Sequence, residues 1–175
     1  MYKRQLTIGG FPELALSDDD LYAQRMLRED VVDKVIKRDV LTLFKVRSPL
    51  LMEKLFLYLC MNSTEIFSAT TAAKELDNIS PNTIESYVDA LVKSNLIYMA
   101  YPIAVGSKSV LKGRPKIYIA DAAIRNAVLM VDDVLSDERE LGLLIETTVY
   151  KHLVSFYQGT GAQLGYYRKA KENQK

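Results

Sequence analysis

Between Ser68 and Ala120 the chain carries a pattern that few folds can accommodate. A run of small residues from Ser68 to Leu76 is broken at Asp77-Asn78-Ile79, and Ser80-Pro81-Asn82-Thr83 then opens a second helix reaching about Asn95. Ile84, Tyr87, Val88, Leu91 and Val92 recur at three- and four-residue steps, so this second helix buries one face. Leu96–Ile103 and Lys116–Ala120 follow, two segments rich in β-branched and aromatic residues around a polar loop, and both read as strands. A helix-turn-helix followed by a β-hairpin is the arrangement of a winged helix.

The flanks are mostly helical. Gly9-Gly10-Phe11-Pro12 breaks any helix and marks a turn, so residues 1–12 read as the continuation of something upstream. Ser17-Asp18-Asp19-Asp20 supplies a cap and first-turn carboxylates for a helix starting near Leu21. From there to Val46 the apolar spacing predicts one or two amphipathic helices, and Ser48-Pro49 restarts the chain as a more deeply buried helix, Leu50–Met61. The character changes at Asp121. A helix over Ala122–Met130, an acidic connector from Asp132-Asp133 to Asp137-Glu138, a long helix from about Glu140 to Tyr157 and a strand over Gln163–Lys169 form what reads as a second unit. The resulting division is a helical remnant with linking helices at 1–47, the winged helix at 48–120 and a truncated segment at 121–175. A last strand without partners suggests a sheet cut short, leaving Leu143, Leu144 and Val149 exposed and available for self-association.

Bulk charge narrows the function. Lys plus Arg number 23 against 22 Asp plus Glu, so no global field draws in nucleic acid or an anionic membrane, and any such binding must come from a local patch. The single cysteine, Cys60, lies in an apolar run and reads as a buried, inert thiol, with no disulfide framework and no thiolate cluster for a metal. No apolar stretch approaches the ~20 residues needed to cross a bilayer and no signal peptide is present, so the expected location is the cytoplasm, with no membrane partner.

Five short stretches carry a wider resemblance: Gly9-Gly10-Phe11-Pro12-Glu13, Arg38-Asp39, Asn82-Thr83 through Tyr87, Arg114-Pro115-Lys116-Ile117-Tyr118 leading to Asp121, and Gly142 through Glu146 with Val149. Their order resembles the C-terminal region of a large prokaryotic family of AAA+ superfamily ATPases. In that family a P-loop domain precedes a winged helix and a domain related to the restriction-endonuclease-like nucleases. The resemblance implies a mainly α, α+β fold: a winged helix-turn-helix with flanking helices and a truncated α/β segment. It places the P-loop and the Mg²⁺-binding acid upstream of residue 1. No Gly-x-x-x-x-Gly-Lys-Ser/Thr occurs in the chain, so no cradle for β and γ phosphates is expected here, and ATP and Mg²⁺ are expected only of that upstream domain. The chain itself is therefore expected not to be an enzyme. The family's tyrosine-rich strand usually runs into an acidic nuclease-like segment, whereas Tyr166-Tyr167-Arg168-Lys169 is followed here only by residues 170–175.

Candidate site residues follow from both lines. The resemblance matches Glu146 to a glutamate that helps hold a divalent metal in active nucleases of this fold. A metal-dependent nuclease needs several converging carboxylates, and a capping or ion-paired helix glutamate is the simpler reading. The loop from Gly106 to Lys116 carries Lys108, Lys112, Arg114 and Lys116 with no acidic residue, which suits phosphate contact, with Asn82 on the second helix as a companion. Glu85 and Asp89 share that helix's outer face with Asn82 and Lys93, and carboxylates there would repel a DNA backbone. Asp121 reads as a helix cap for Ala123 or Ile124, and His152 lacks a nucleophile at a recognisable spacing. Tyr98, Tyr101 and Tyr118 are expected to line one sheet face as packing rather than as base-stacking platforms. The leading expectation is an accessory module of a larger ATPase that couples its nucleotide state to a partner, protein or DNA, with the Lys108–Lys116 hairpin as the contact surface; the alternatives are a DNA-binding winged helix and an incomplete or inactive metal-dependent nuclease.

Overall fold

The structure is a computed structural model and describes residues 2–44, 46–103, 113–131 and 134–167. Its elements run α1 (Tyr2–Ile8), α2 (Pro12–Ala15), α3 (Asp20–Arg28), a π-helical stretch (Glu29–Val40), α4 (Leu41–Leu43), α5 (Pro49–Met61), α6 (Ala69–Glu75), α7 (Pro81–Lys93), β1 (Ile97–Ile103), β2 (Lys116–Ile119), α8 (Ala122–Leu129), α9 (Glu138–Tyr157) and β3 (Gly165–Tyr167). The fold is mixed α and β, mostly helical, with a small three-stranded sheet.

Most boundaries follow from local chemistry. Asp19 caps α3 by accepting from the Tyr22 amide at 2.9 Å, and Ser48 and Ser68 cap α5 and α6 by accepting from Leu51 and Thr71. Ser80 makes no side-chain cap, so α7 owes its start to Pro81, whose fixed φ suits the first helical turn. Asp137 caps α9 through the amides of Arg139 and Glu140, which starts this helix two residues before the position expected from the sequence.

Helix α1 falls within the segment expected to be a helical remnant, ahead of the turn read at Gly9-Gly10-Phe11-Pro12. It ends at Gly9, whose φ of +75° lies in the left-handed region. Its last carbonyls, on Leu6 and Thr7, accept from the buried side-chain amide of Asn126 on α8. A buried side chain 120 residues away therefore completes this helix end.

One apolar core runs through the molecule. It takes Leu27, Ile36 and Val40 from the N-terminal helices, Phe56 and Leu59 from α5, Ile84 and Leu91 from α7, Ile97, Ile117 and Ile119 from the hairpin, and Ala123, Ile124 and Ala127 from α8. Segments 1–47, 48–120 and 121–175 all contribute to it or to the clusters against it.

β1 and β2 are antiparallel, with Ile97 opposite Ile119 and Tyr98 opposite Tyr118. The outer edge of β2 is covered by the segment between α5 and α6, where Ile66 bridges Lys116 and the Thr64 and Phe67 amides donate to the Ile117 and Pro115 carbonyls. The far half of β1 pairs in parallel with β3, Tyr101 lying opposite Gly165. A Cβ at Gly165 would stand 2.1 Å from the Tyr101 carbonyl oxygen, so only glycine permits this approach. The strand expected to be isolated thus has a partner, because the chain after α9 turns back onto the hairpin.

The hairpin is covered on both faces. Alternation sends Ile97, Met99, Ile117 and Ile119 to the main core and Tyr98, Ala100 and Tyr118 to the other side. There Tyr118 stacks on Tyr150 of α9 with ring centroids 4.1 Å apart, and Tyr98 meets the same ring at 6.4 Å. Tyr101 does not share that face, correcting the expectation for the three tyrosines: it stands three positions from Tyr98, and strand side chains alternate.

Helix α9 is fixed from its other end by a buried guanidinium. Arg125 of α8 binds Glu140 bidentately, at 2.6 and 3.3 Å, and donates from Nε to the Cys60 carbonyl at the end of α5. The Arg125 side chain is 4% exposed. Removing only its counter-charge leaves a buried cation unpaired, so Glu140→Ala should destabilise the fold by about 3 kcal/mol, measured by urea denaturation.

Candidate interaction surface

Helix α7 buries Ile84, Tyr87, Val88 and Leu91 and turns Asn82, Glu85, Asp89 and Lys93 to solvent. Asp89 and Lys93 form an i,i+4 ion pair at 2.6 Å with both side chains more than half exposed, so it adds little stability. Beside this face lies a groove of about 1500 Å³, walled by Glu85, Asp89 and Val92 of α7, Met99 and Tyr101 of β1, and Val154 of α9. The turn after α9, with Gly159 and Gly161, closes one end, and Gly113, Arg114 and Pro115 at the root of the hairpin form part of its rim.

Of the residues singled out from the sequence, Lys108 and Lys112 lie outside the described residues. Arg114 is exposed at the groove's rim, and its carbonyl accepts from the Tyr166 hydroxyl at 2.8 Å. Asn82 is exposed at the start of α7 and is not part of the groove wall. Lys116 is already engaged: its ammonium pairs with Glu146 at 3.0 Å and stands 5.9 Å above the Tyr166 ring. A phosphate contact there would have to displace that carboxylate.

Glu146 is the carboxylate of that ion pair. The same Oε1 accepts from Lys116 and, at 2.8 Å, from the Tyr118 hydroxyl. Among the described residues no three of His, Cys, Asp and Glu converge on a point where a metal could sit. Thr147 beside it is fully buried with its hydroxyl unpartnered.

Asp121 caps α8 by accepting from the Ala123 amide at 2.9 Å, as the sequence suggests, and does more. It also accepts from the Lys151 ammonium of α9 and the Gly10 amide. A Cβ at Gly9 would fall 2.5 Å from its Oδ1, so the Gly9-Gly10 turn exists to pass over this carboxylate. This buried node is structural. Cys60 is fully buried, which pushes its thiol pKa well up and leaves it inert as a nucleophile. Sequence reasoning missed Arg125 and Asn126. Their signal was a polar pair inside the apolar run Ala122–Leu129, which a helix can hold only by giving both side chains partners.

Burial, then donation to Glu146, raises the Tyr118 phenol well above its ordinary range. The folded state therefore keeps a proton that the unfolded chain loses near pH ~10, and stability falls as pH rises above that point. Tyr118→Phe should flatten this alkaline fall, as read from denaturation midpoints across pH.

A family profile described as "Domain of unknown function (DUF8612)" matches residues 1–135, which takes in α1 to α8 and the hairpin and stops before α9. The uncharacterized protein MJ1637 of Methanocaldococcus jannaschii is 31% identical over 167 residues, covering 94% of this chain and 34% of the relative. The chain thus spans about a third of that relative's length. No solved structure matches. Among the described residues no helix is long and apolar enough to cross a membrane.

Proposed function

We propose that this chain, which belongs to the family described as a domain of unknown function (DUF8612), is a winged-helix interaction module that takes a segment of a protein partner into the groove beside α7. The winged-helix reading is supported by the order α5, edge segment 64–67, α6, α7, β1 and β2, with the edge segment hydrogen-bonded to β2 and α7 leading directly into the hairpin. In this reading the module is cytoplasmic and serves a larger ATPase of the AAA+ superfamily, where it couples nucleotide state to the partner. Support for that comes from the motif order, and the relative about three times as long leaves room for an ATPase domain. ATP and Mg²⁺ would belong to that other domain, and this chain would have no catalytic role.

One observation carries the choice of a protein partner: the outer face of α7 presents Glu85 and Asp89 to a groove that also takes Val92, Met99, Tyr101 and Val154 into its lining, beside polar groups such as Ser68 and Asn95. Acidic side chains beside apolar and aromatic ones suit a peptide with basic and apolar residues, whereas a recognition helix in a major groove faces phosphates on both sides. DNA binding is the second reading, favoured by exposed Arg114 and the basic composition of 108–116.

Selection of displayed peptides on the purified chain, with anisotropy measurements on a labelled duplex in low salt, separates them. The expected result is peptides rich in Lys or Arg with apolar neighbours, weakened about tenfold by Glu85→Lys with Asp89→Lys, and no salt-sensitive duplex binding. Duplex affinity that falls steeply with salt and is lost on Arg114→Glu would replace this reading with the DNA one.

A further inference from the structure

Helix α9 presents a second surface, away from the groove. Ile145, Val149, Leu153 and Phe156 are 46, 52, 41 and 75% exposed and fall on one side of the helix at four-, four- and three-residue spacing. A solvated helix face normally carries charge. From Gly142 to Phe156, about 20 Å of helix, the acidic and basic residues besides His152 are Glu146, held by Lys116 and Tyr118, and Lys151, held by Asp121. Of the residues that the sequence suggested for self-association, Val149 belongs to this stripe, while Leu144 is fully buried and Leu143 half-buried.

Two features indicate what covers the stripe. Gly142 sits in an exposed helix interior, where glycine weakens the helix, and a Cβ there would meet nothing within 4 Å among the described residues. The stripe is also its own complement about Val149. An antiparallel copy of α9 related by a two-fold axis at Val149 would set Gly142 against the bulky Phe156 and Ile145 against Leu153. Each pair is equidistant from Val149 along the sequence. Small meets large and apolar meets apolar. Gly142, Ile145, Val149, His152 and Phe156 also alternate three- and four-residue steps, the seam spacing of two helices packed at a shallow angle.

We infer that two copies of this chain associate through the exposed stripe of α9, antiparallel about a two-fold axis at Val149. The self-matching order of residues favours a second copy over a different protein, which would have no reason to match this stripe read backwards. The interface lies apart from the α7 groove and stands whether or not that groove binds a partner.

Sedimentation velocity of the full 175-residue chain up to about 100 μM tests it. The expected result is a reversible dimer, weakened about 100-fold by Val149→Glu, which brings two carboxylates together at the axis, with an unchanged circular dichroism spectrum. Cysteine pairing tests the geometry, since Cys60 is buried and does not interfere. Val149→Cys should oxidise to a linked dimer with itself. Ile145→Cys should link to Leu153→Cys rather than to its own copy, and Asp18→Cys, on a distant exposed turn, should not link. A monomer throughout, as expected if the stripe serves another segment or another protein, overturns the inference. So does a dimer indifferent to Val149→Glu, or an Ile145→Cys that links to itself, the mark of parallel pairing.

Discussion

Burying a guanidinium is expensive unless its charge and its hydrogen-bonding groups are all answered, and Arg125 is tolerated at the centre of α8 because two elements answer it. Glu140 meets it with both carboxylate oxygens and the Cys60 carbonyl takes the remaining Nε hydrogen. That contact joins the end of α5, the middle of α8 and the first turn of α9. The position of the hairpin's outer cover follows from it, since α9 reaches the tyrosine face of β1 and β2 only from that start.

The buried polar residues of α8 and its cap repeat this logic. Asn126 closes the end of α1, and Asp121 gathers Lys151, the Gly10 amide and its own helix start. Each is a polar side chain accepted into the interior because it satisfies a group from a distant part of the chain. A helix that would otherwise be an ordinary apolar strut therefore fixes the N-terminal helices, α5 and α9 together. The outer surfaces left by this arrangement, the groove beside α7 and the apolar stripe of α9, are where the chain has side chains to offer other molecules.

Elements whose register depends on near neighbours were legible. The serine–proline and aspartate starts, the apolar spacing of α5 and α7 and the alternation of β1 and β2 specify local geometry through caps, periodicity and β-branching. The exposed set on α7, Asn82, Glu85, Asp89 and Lys93, was readable for the same reason: it is the complement of the buried stripe. The groove was not, because its walls come from α7, β1 and α9, up to about 70 residues apart. The engagement of Lys116 by Glu146 was hidden likewise, 30 positions separating a strand from a helix.

What the sequence determined alone was the list of elements and which face of each is apolar, since helical and strand periodicity and capping are set within a few residues. It did not determine that β3 would run parallel to β1, or that α8 would carry the polar contacts holding distant segments together. Those are choices among long-range pairings of similar local cost. Only the assembled core decides them, through the close approach that Gly165 permits and the burial of Arg125, Asn126 and Asp121 against the partners that satisfy them.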